Sequence, residues 1–141
     1  MKYKDKQFLT FTTIIFLIGA CYYWLFRNNI LITEWLGIKM LNLNIQFKID
    51  WLPSFIHQFV FIIFTWFALD KKHKCFAISI WLILNLSFEI LQALPLKYVC
   101  FLPKILIEYS QYGTYSNSDI VAILFASIMA GIVIKLYIKG E

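Results

Sequence analysis

Four stretches of this chain run for 19 or 20 residues with at most one Asp, Glu, Lys or Arg each: residues 8–26, 51–69, 75–94 and 120–138. No other feature limits its folding as strongly. Crossing ~30 Å of hydrocarbon at ~1.5 Å per residue takes ~20 apolar residues, and a backbone in lipid must satisfy its own hydrogen bonds. The expectation is therefore an all-α, polytopic membrane bundle of four transmembrane helices with two outer loops. One integral domain would span 1–141, since neither a repeat nor a Gly/Ser linker divides the chain. Its partner is first of all the lipid bilayer.

Composition agrees. The chain is 61% hydrophobic with a mean hydropathy of +0.72, against roughly 45–50% apolar content in soluble domains. A net charge of +5 points to topology and not to nucleic acid, because the basic residues sit at segment ends and form no block or stripe. Lys2, Lys4, Lys6, Lys71, Lys72, Lys74, Lys135 and Lys139 fall on one side, and Arg27, Lys39, Lys48, Lys97 and Lys104 on the other. Eight against five predicts both termini in the cytoplasm. The three cysteines, Cys21, Cys75 and Cys100, form no CxxC and no disulfide framework, and read as packing residues. Ile18-Gly19-Ala20-Cys21 is a partial lipobox, but Tyr22-Tyr23-Trp24-Leu25-Phe26 continues the apolar run where a mature lipoprotein turns polar.

The outer loops differ. From Leu41 to Asp50 apolar and polar residues alternate, which suits an extended strand with one apolar face lying on the outer surface. The segment from Pro95 to Ser118 carries an apolar half, Ile105-Leu106-Ile107, suited to the interface, and a polar finish.

Ionisable groups within spans are costly, so each is a candidate site. His57 lies six residues past Trp51, about 9 Å below the outer interface, and Glu89 lies six residues before Pro95 on the antiparallel span. Asn85, Glu89 and Gln92 share one helix face at i, i+4 and i+7. Asp119 opens the last span, followed by Ala122, Ala126 and Ala130, small residues that allow close helix approach. His57, Asn85, Glu89, Gln92 and Asp119 are thus expected to line one outward-facing polar cavity. A plainer reading competes: Ser116-Asn117-Ser118-Asp119 fits a capping box, and His57 with Glu89 would only lock two helices together. No HExxH, GxSxG, P-loop or GxGxxG occurs, and His73 belongs to the opposite turn, so neither a metal site nor a cofactor is expected.

Pro53-Ser54-Phe55-Ile56-His57-Gln58-Phe59, Phe88-Glu89-Ile90-Leu91-Gln92 and Gly113-Thr114-Tyr115-Ser116-Asn117-Ser118-Asp119-Ile120 stand in an order and spacing that resembles the VanZ-like family of small bacterial membrane proteins. The resemblance covers the chain from about Asp50 onward. It departs at Ser116, where the family often carries a further Asp, and at Ile123 and Ala126, where it has Asn and Gly. It implies a bacterial plasma-membrane protein of the cell envelope, in a family named for a member associated with teicoplanin resistance. It also adds Ser54, Gly113, Thr114 and Ser116 as outer-loop candidates. Three functions stay open: action on a lipid-linked envelope precursor or cell-wall component, a small membrane-embedded enzyme with a His/Glu/Asp site, or a noncatalytic subunit docking another membrane protein.

Overall fold

The computed structural model describes residues 3–26, 49–112 and 115–140. Among them there are six helices and no strand: α1 Tyr3–Phe26, α2 Leu52–Ala68, α3 Lys74–Ala93, α4 Leu96–Val99, α5 Lys104–Tyr112 and α6 Asn117–Lys139. Two of these, α3 and α6, are long and apolar enough to cross a membrane. The apolar helix α2 has 17 residues and is about 26 Å long. The expected all-helical architecture is present. Most of the alternating run, Leu41 to Lys48, and the candidates Gly113 and Thr114 lie outside the described residues.

Helix ends follow the local sequence. Pro53 sits in the first turn of α2, where a missing N–H removes no helical bond. Leu94, held extended (ψ 134°) by the following Pro95, ends α3. Between α2 and α3 the chain reverses over Leu69 to His73, with Asp70 and Lys71 both left-handed at φ 52° and 61°. The Lys71 N–H reaches back to the Trp66 carbonyl at 2.9 Å and the Asp70 N–H to Phe67 at 3.1 Å. These are the bonds of a Schellman-type helix stop, made here without the glycine that usually relieves it. Side-chain contacts of Lys71, described below, hold the turn in place.

α2 is the central helix. It packs on α1, α3 and α6, and buries Ile56, Gln58, Val60, Ile62, Ile63 and Trp66 on more than one face. α1 runs antiparallel to it. Phe8 meets Phe67 at 5.6 Å between ring centroids and Phe16 meets Phe61 at 6.0 Å, while the Tyr22 hydroxyl accepts from the Ile49 N–H at 2.8 Å. At Gly19 an added Cβ would stand 2.7 Å from Ile56 Cγ2, so the absence of a side chain sets how closely α1 approaches. α6 runs parallel to α2, and its buried stripe includes Ala122, Ala126 and Ala130, the small residues expected to allow close packing.

The densest apolar packing joins Ile62, Ile63 and Trp66 of α2, Ala77 of α3, and Ala130, Ile134 and Tyr137 of α6. Outside this seam the surface is strongly apolar. Only 11% of the most apolar 18-residue stretch of α3 is buried, and 39% of that of α6. A core helix of a soluble protein would bury most of such a stretch, whereas lipid-facing helices need not.

Candidate functional site

Among the described residues, polar side chains gather in two places inside this apolar frame. The first is at the end of the bundle that holds the start of α1, the α2–α3 turn and the end of α6, here called the terminal end. Asp5 is buried there and takes the Lys71 ammonium at 3.1 Å, and the Tyr137 hydroxyl donates to the same carboxylate oxygen. Lys4 donates to the Tyr137 carbonyl at 3.4 Å and lies over its ring, 4.6 Å from the centroid. Phe8, Trp66 and Phe67 pack edgewise or tilted on Tyr137. Sequence reading missed this cluster, because Asp5 stands among lysines that read as a topology signal.

The second place lies toward the opposite, far end. Gln58 of α2, fully buried, spans from α6 to α3: its Nε2 donates to Ser127 Oγ at 2.7 Å, and its Oε1 accepts from Asn85 Nδ2. The Ser127 hydroxyl itself donates to the Ile123 carbonyl at 2.9 Å. Turned over, the amide would donate to the Trp81 carbonyl at 3.1 Å and accept from Ser127 Oγ and the Leu82 N–H at 3.3 Å, so Gln58 joins α2 to α3 and α6 either way, and it keeps Asn85 as a partner when the Asn85 amide is turned with it. Nearby, the Trp81 indole donates to Thr65 Oγ1 at 2.6 Å. These bonds join α2 to both neighbours at mid-bundle, and none carries charge.

One turn farther along α3 comes Glu89, 8% exposed; Asp119 at the start of α6 is 4% exposed. α3 and α6 are packed antiparallel, with a Cβ at Gly131 lying 3.5 Å from Ile78 Cδ1. Eleven residues up α3 from Ile78 reach Glu89 and twelve down α6 from Gly131 reach Asp119, so the two residues stand at about the same level. Asp119 also lies in the first turn of α6, where the helix dipole favours negative charge. Gln92 is half-buried one turn beyond Glu89, and Ser54 and Ser116 are half-buried near the same end. Ser116 is the N-cap of α6, but its side chain makes no cap bond and its hydroxyl pairs with Ser118 at 2.6 Å. The hydroxyl half of the expected capping box is therefore not formed.

His57 does not join this group. It is exposed, with its ring edge-on to Phe61 at 4.4 Å and 6.1 Å from Trp81. One residue along a helix turns ~100°, and Gln58 takes the interior position instead. Gln58 is signalled by its place four and eight residues before the fully buried Ile62 and Trp66. Among the described residues no three of His, Cys, Asp or Glu come together as a metal-holding group.

Chemically, the Gln58–Asn85–Ser127 chain fastens helices. Glu89 and Asp119 differ: a pair of carboxyl groups can accept from hydroxyl or ammonium donors, exchange protons, or balance a cation. Comparison of the chain with protein family models, with curated proteins and with solved structures finds no match in any of the three.

Proposed function

We propose that the chain is a four-span protein of a bacterial plasma membrane with both termini in the cytoplasm, and that it is a VanZ-like envelope protein whose far end engages a lipid-linked or cell-wall component at the outer leaflet. The observation that carries this reading is the level placement of the buried residues Glu89 and Asp119 on adjacent antiparallel helices. They sit away from the end where the chain starts and stops. Carboxyl groups buried among apolar helices are costly and mark sites for donor-bearing ligands, such as the hydroxyls or amines of an envelope precursor.

Four spans are supported by the bundle's arrangement as well as by hydropathy. Asp5, Lys71 and Tyr137 meet at one end, as an even number of crossings requires. The lysines at that end, Lys4, Lys71, Lys72 and Lys74 among them, support a cytoplasmic placement by the positive-inside rule. A thiol at Lys72→Cys, in a background without native cysteines, is then shielded from an impermeant reagent in intact cells, and one at Asn44→Cys is labelled. The reverse pattern rejects the topology.

The functional test is deletion followed by complementation. Loss of the protein should change glycopeptide susceptibility or a surface polymer, and the wild type should restore it. Glu89→Gln and Asp119→Asn, inserted at normal levels, should not. One observation favours a second reading, a noncatalytic subunit: His57 presents its ring outward from the bundle beside Phe61 and Trp81, where a partner helix could cover it. An envelope unchanged by deletion under several antibiotics selects that reading.

A further inference from the structure

Between α3 and α6 the described residues 94–112 carry α4 and α5, and what they show to their surroundings is unusual. Pro95 and Pro103 keep α4 and α5 from continuing α3. Tyr98 is 56% exposed, Phe101 80%, Ile105 50% and Tyr109 39%, recurring at spacings of three, four and four residues. Water gives no reason for a phenyl ring to stand four-fifths uncovered, and hydrocarbon gives none for the exposed lysines that alternate with these rings. Lys97 stacks its ammonium 4.7 Å above the Tyr98 ring, and Lys104, 90% exposed in its side chain, reaches toward Glu108 at 3.6 Å. Phe88 and Tyr109, 5.1 Å apart, tether α5 to the last turns of α3. The segment therefore begins where the uncovered apolar surface of α3 ends.

We propose that the α4–α5 segment, Leu96 to Tyr112, lies in the headgroup layer of the bilayer at the far end, with its rings at the acyl boundary and Lys97 and Lys104 on lipid phosphates. The inference rests on the membrane reading above. Aromatic rings with a polar neighbour settle at that depth, and lysines there extend their ammonium groups toward phosphate while the stems stay in the apolar layer. The occupant is lipid and not a second protein because the segment continues the lipid-facing side of α3 and offers cations where phosphates are found.

Cys100 is a native reporter inside the segment, exposed and next to Phe101. With Cys21→Ser and Cys75→Ser in the full chain, a spin label on Cys100 is compared, in lipid nanodiscs, with labels at Ile83→Cys and Asp70→Cys in a background also carrying Cys100→Ser. The probes are oxygen, which concentrates in hydrocarbon, and a water-soluble nickel chelate. The Cys100 label should give an oxygen-to-nickel collision ratio between the hydrocarbon value at Ile83 and the aqueous value at Asp70. Phe101→Ser should shift it toward the aqueous value. Lys97→Glu with Lys104→Glu should do so in discs containing phosphatidylglycerol and less in phosphatidylcholine alone. A fully aqueous ratio at Cys100, or a label reached by neither probe as under a protein partner, overturns the proposal; an equal effect of charge reversal in both lipids overturns the phosphate contact. If the Ile83 label itself is aqueous, the membrane reading has failed, and the two failures are told apart.

Discussion

At the terminal end the Asp5 carboxylate meets the Lys71 ammonium and the Tyr137 phenol among aromatic side chains, whereas toward the far end two carboxyl-bearing residues stand at about the same level on α3 and α6, beyond a chain of neutral amide and hydroxyl bonds. The first cluster draws on residues 5, 71 and 137, nearly the whole length of the chain. Groups matched in this way close a fold. The far-end carboxyl groups come from two helices that the Gln58 network already joins through Asn85 and Ser127. Burial alone therefore does not distinguish a fastener from a site; what distinguishes them is whether the polar group joins elements that nothing else joins.

The largest effect expected from this contrast is at the terminal end. Trp66 is fully buried and packs against Phe67 and Tyr137. Trp66→Ala should lower stability by about 3–5 kcal/mol, read by denaturant titration in detergent. A loss below about 1 kcal/mol would mean that this end does not close the fold, and the contrast between the ends would collapse.

Next come the polar partners. Tyr137→Phe leaves the ring packing and removes only the hydroxyl, and Asp5→Asn removes the charge that Lys71 faces. Each should cost about 1–3 kcal/mol, with Asp5→Asn toward the lower part of that range because the Lys71 side chain is 25% exposed and water screens the pair. Because Asp70 and Lys71 hold left-handed backbone conformations without glycine, Lys71→Gly is expected to recover in backbone freedom part of what it loses in side-chain contacts. Lys71→Met should be the more damaging of the two.

The mid-bundle amides sharpen the comparison at a similar scale. Gln58→Leu strands Asn85, and Asn85→Leu strands Gln58, each at roughly 1–3 kcal/mol. The double variant leaves neither amide buried alone and should be more stable than either single one. Additive losses in the double variant would show that the pair is not coupled through the bond between Gln58 and Asn85.

How much of this could be read from residues alone follows from what hydropathy measures. The ends of α2, α3 and α6 lie within three residues of the spans expected at 51–69, 75–94 and 120–138, because prolines and charges mark them. α1 starts five residues before its expected span, at Tyr3, since Lys4 and Lys71 find partners that keep charged residues helical. α4 and α5 were not legible: two prolines eight positions apart mask helices of four and nine residues. Position along a helix follows from residue count, whereas direction around it depends on packing. His57 and Gln58 have nearly the same depth, but only packing around Trp66 and Ile62 decides which one turns inward. Asp5 was hidden for the opposite reason, as a buried group within a run that looks solvated.

The smallest expected effect is at His57, and it separates the exterior of the far end from its interior. His57 is exposed and its ring lies at steep angles to those of Phe61 and Trp81, so His57→Phe keeps a ring against both neighbours and removes no hydrogen bond among the described residues. Stability should stay within about 0.5 kcal/mol of the wild type, as for other surface substitutions. Glu89→Gln should also leave the fold intact, since an amide can still accept and donate where a carboxyl group stood, but it should abolish complementation in the deletion strain. His57→Phe should complement if the working site is the Glu89–Asp119 level alone. If His57→Phe instead destabilises by more than about 1 kcal/mol, a polar partner covers the imidazole and the surface beside Phe61 is an interface. If it is stable but inactive, the site extends outward across α2, and the division between a working interior and an apolar exterior has to be redrawn around His57.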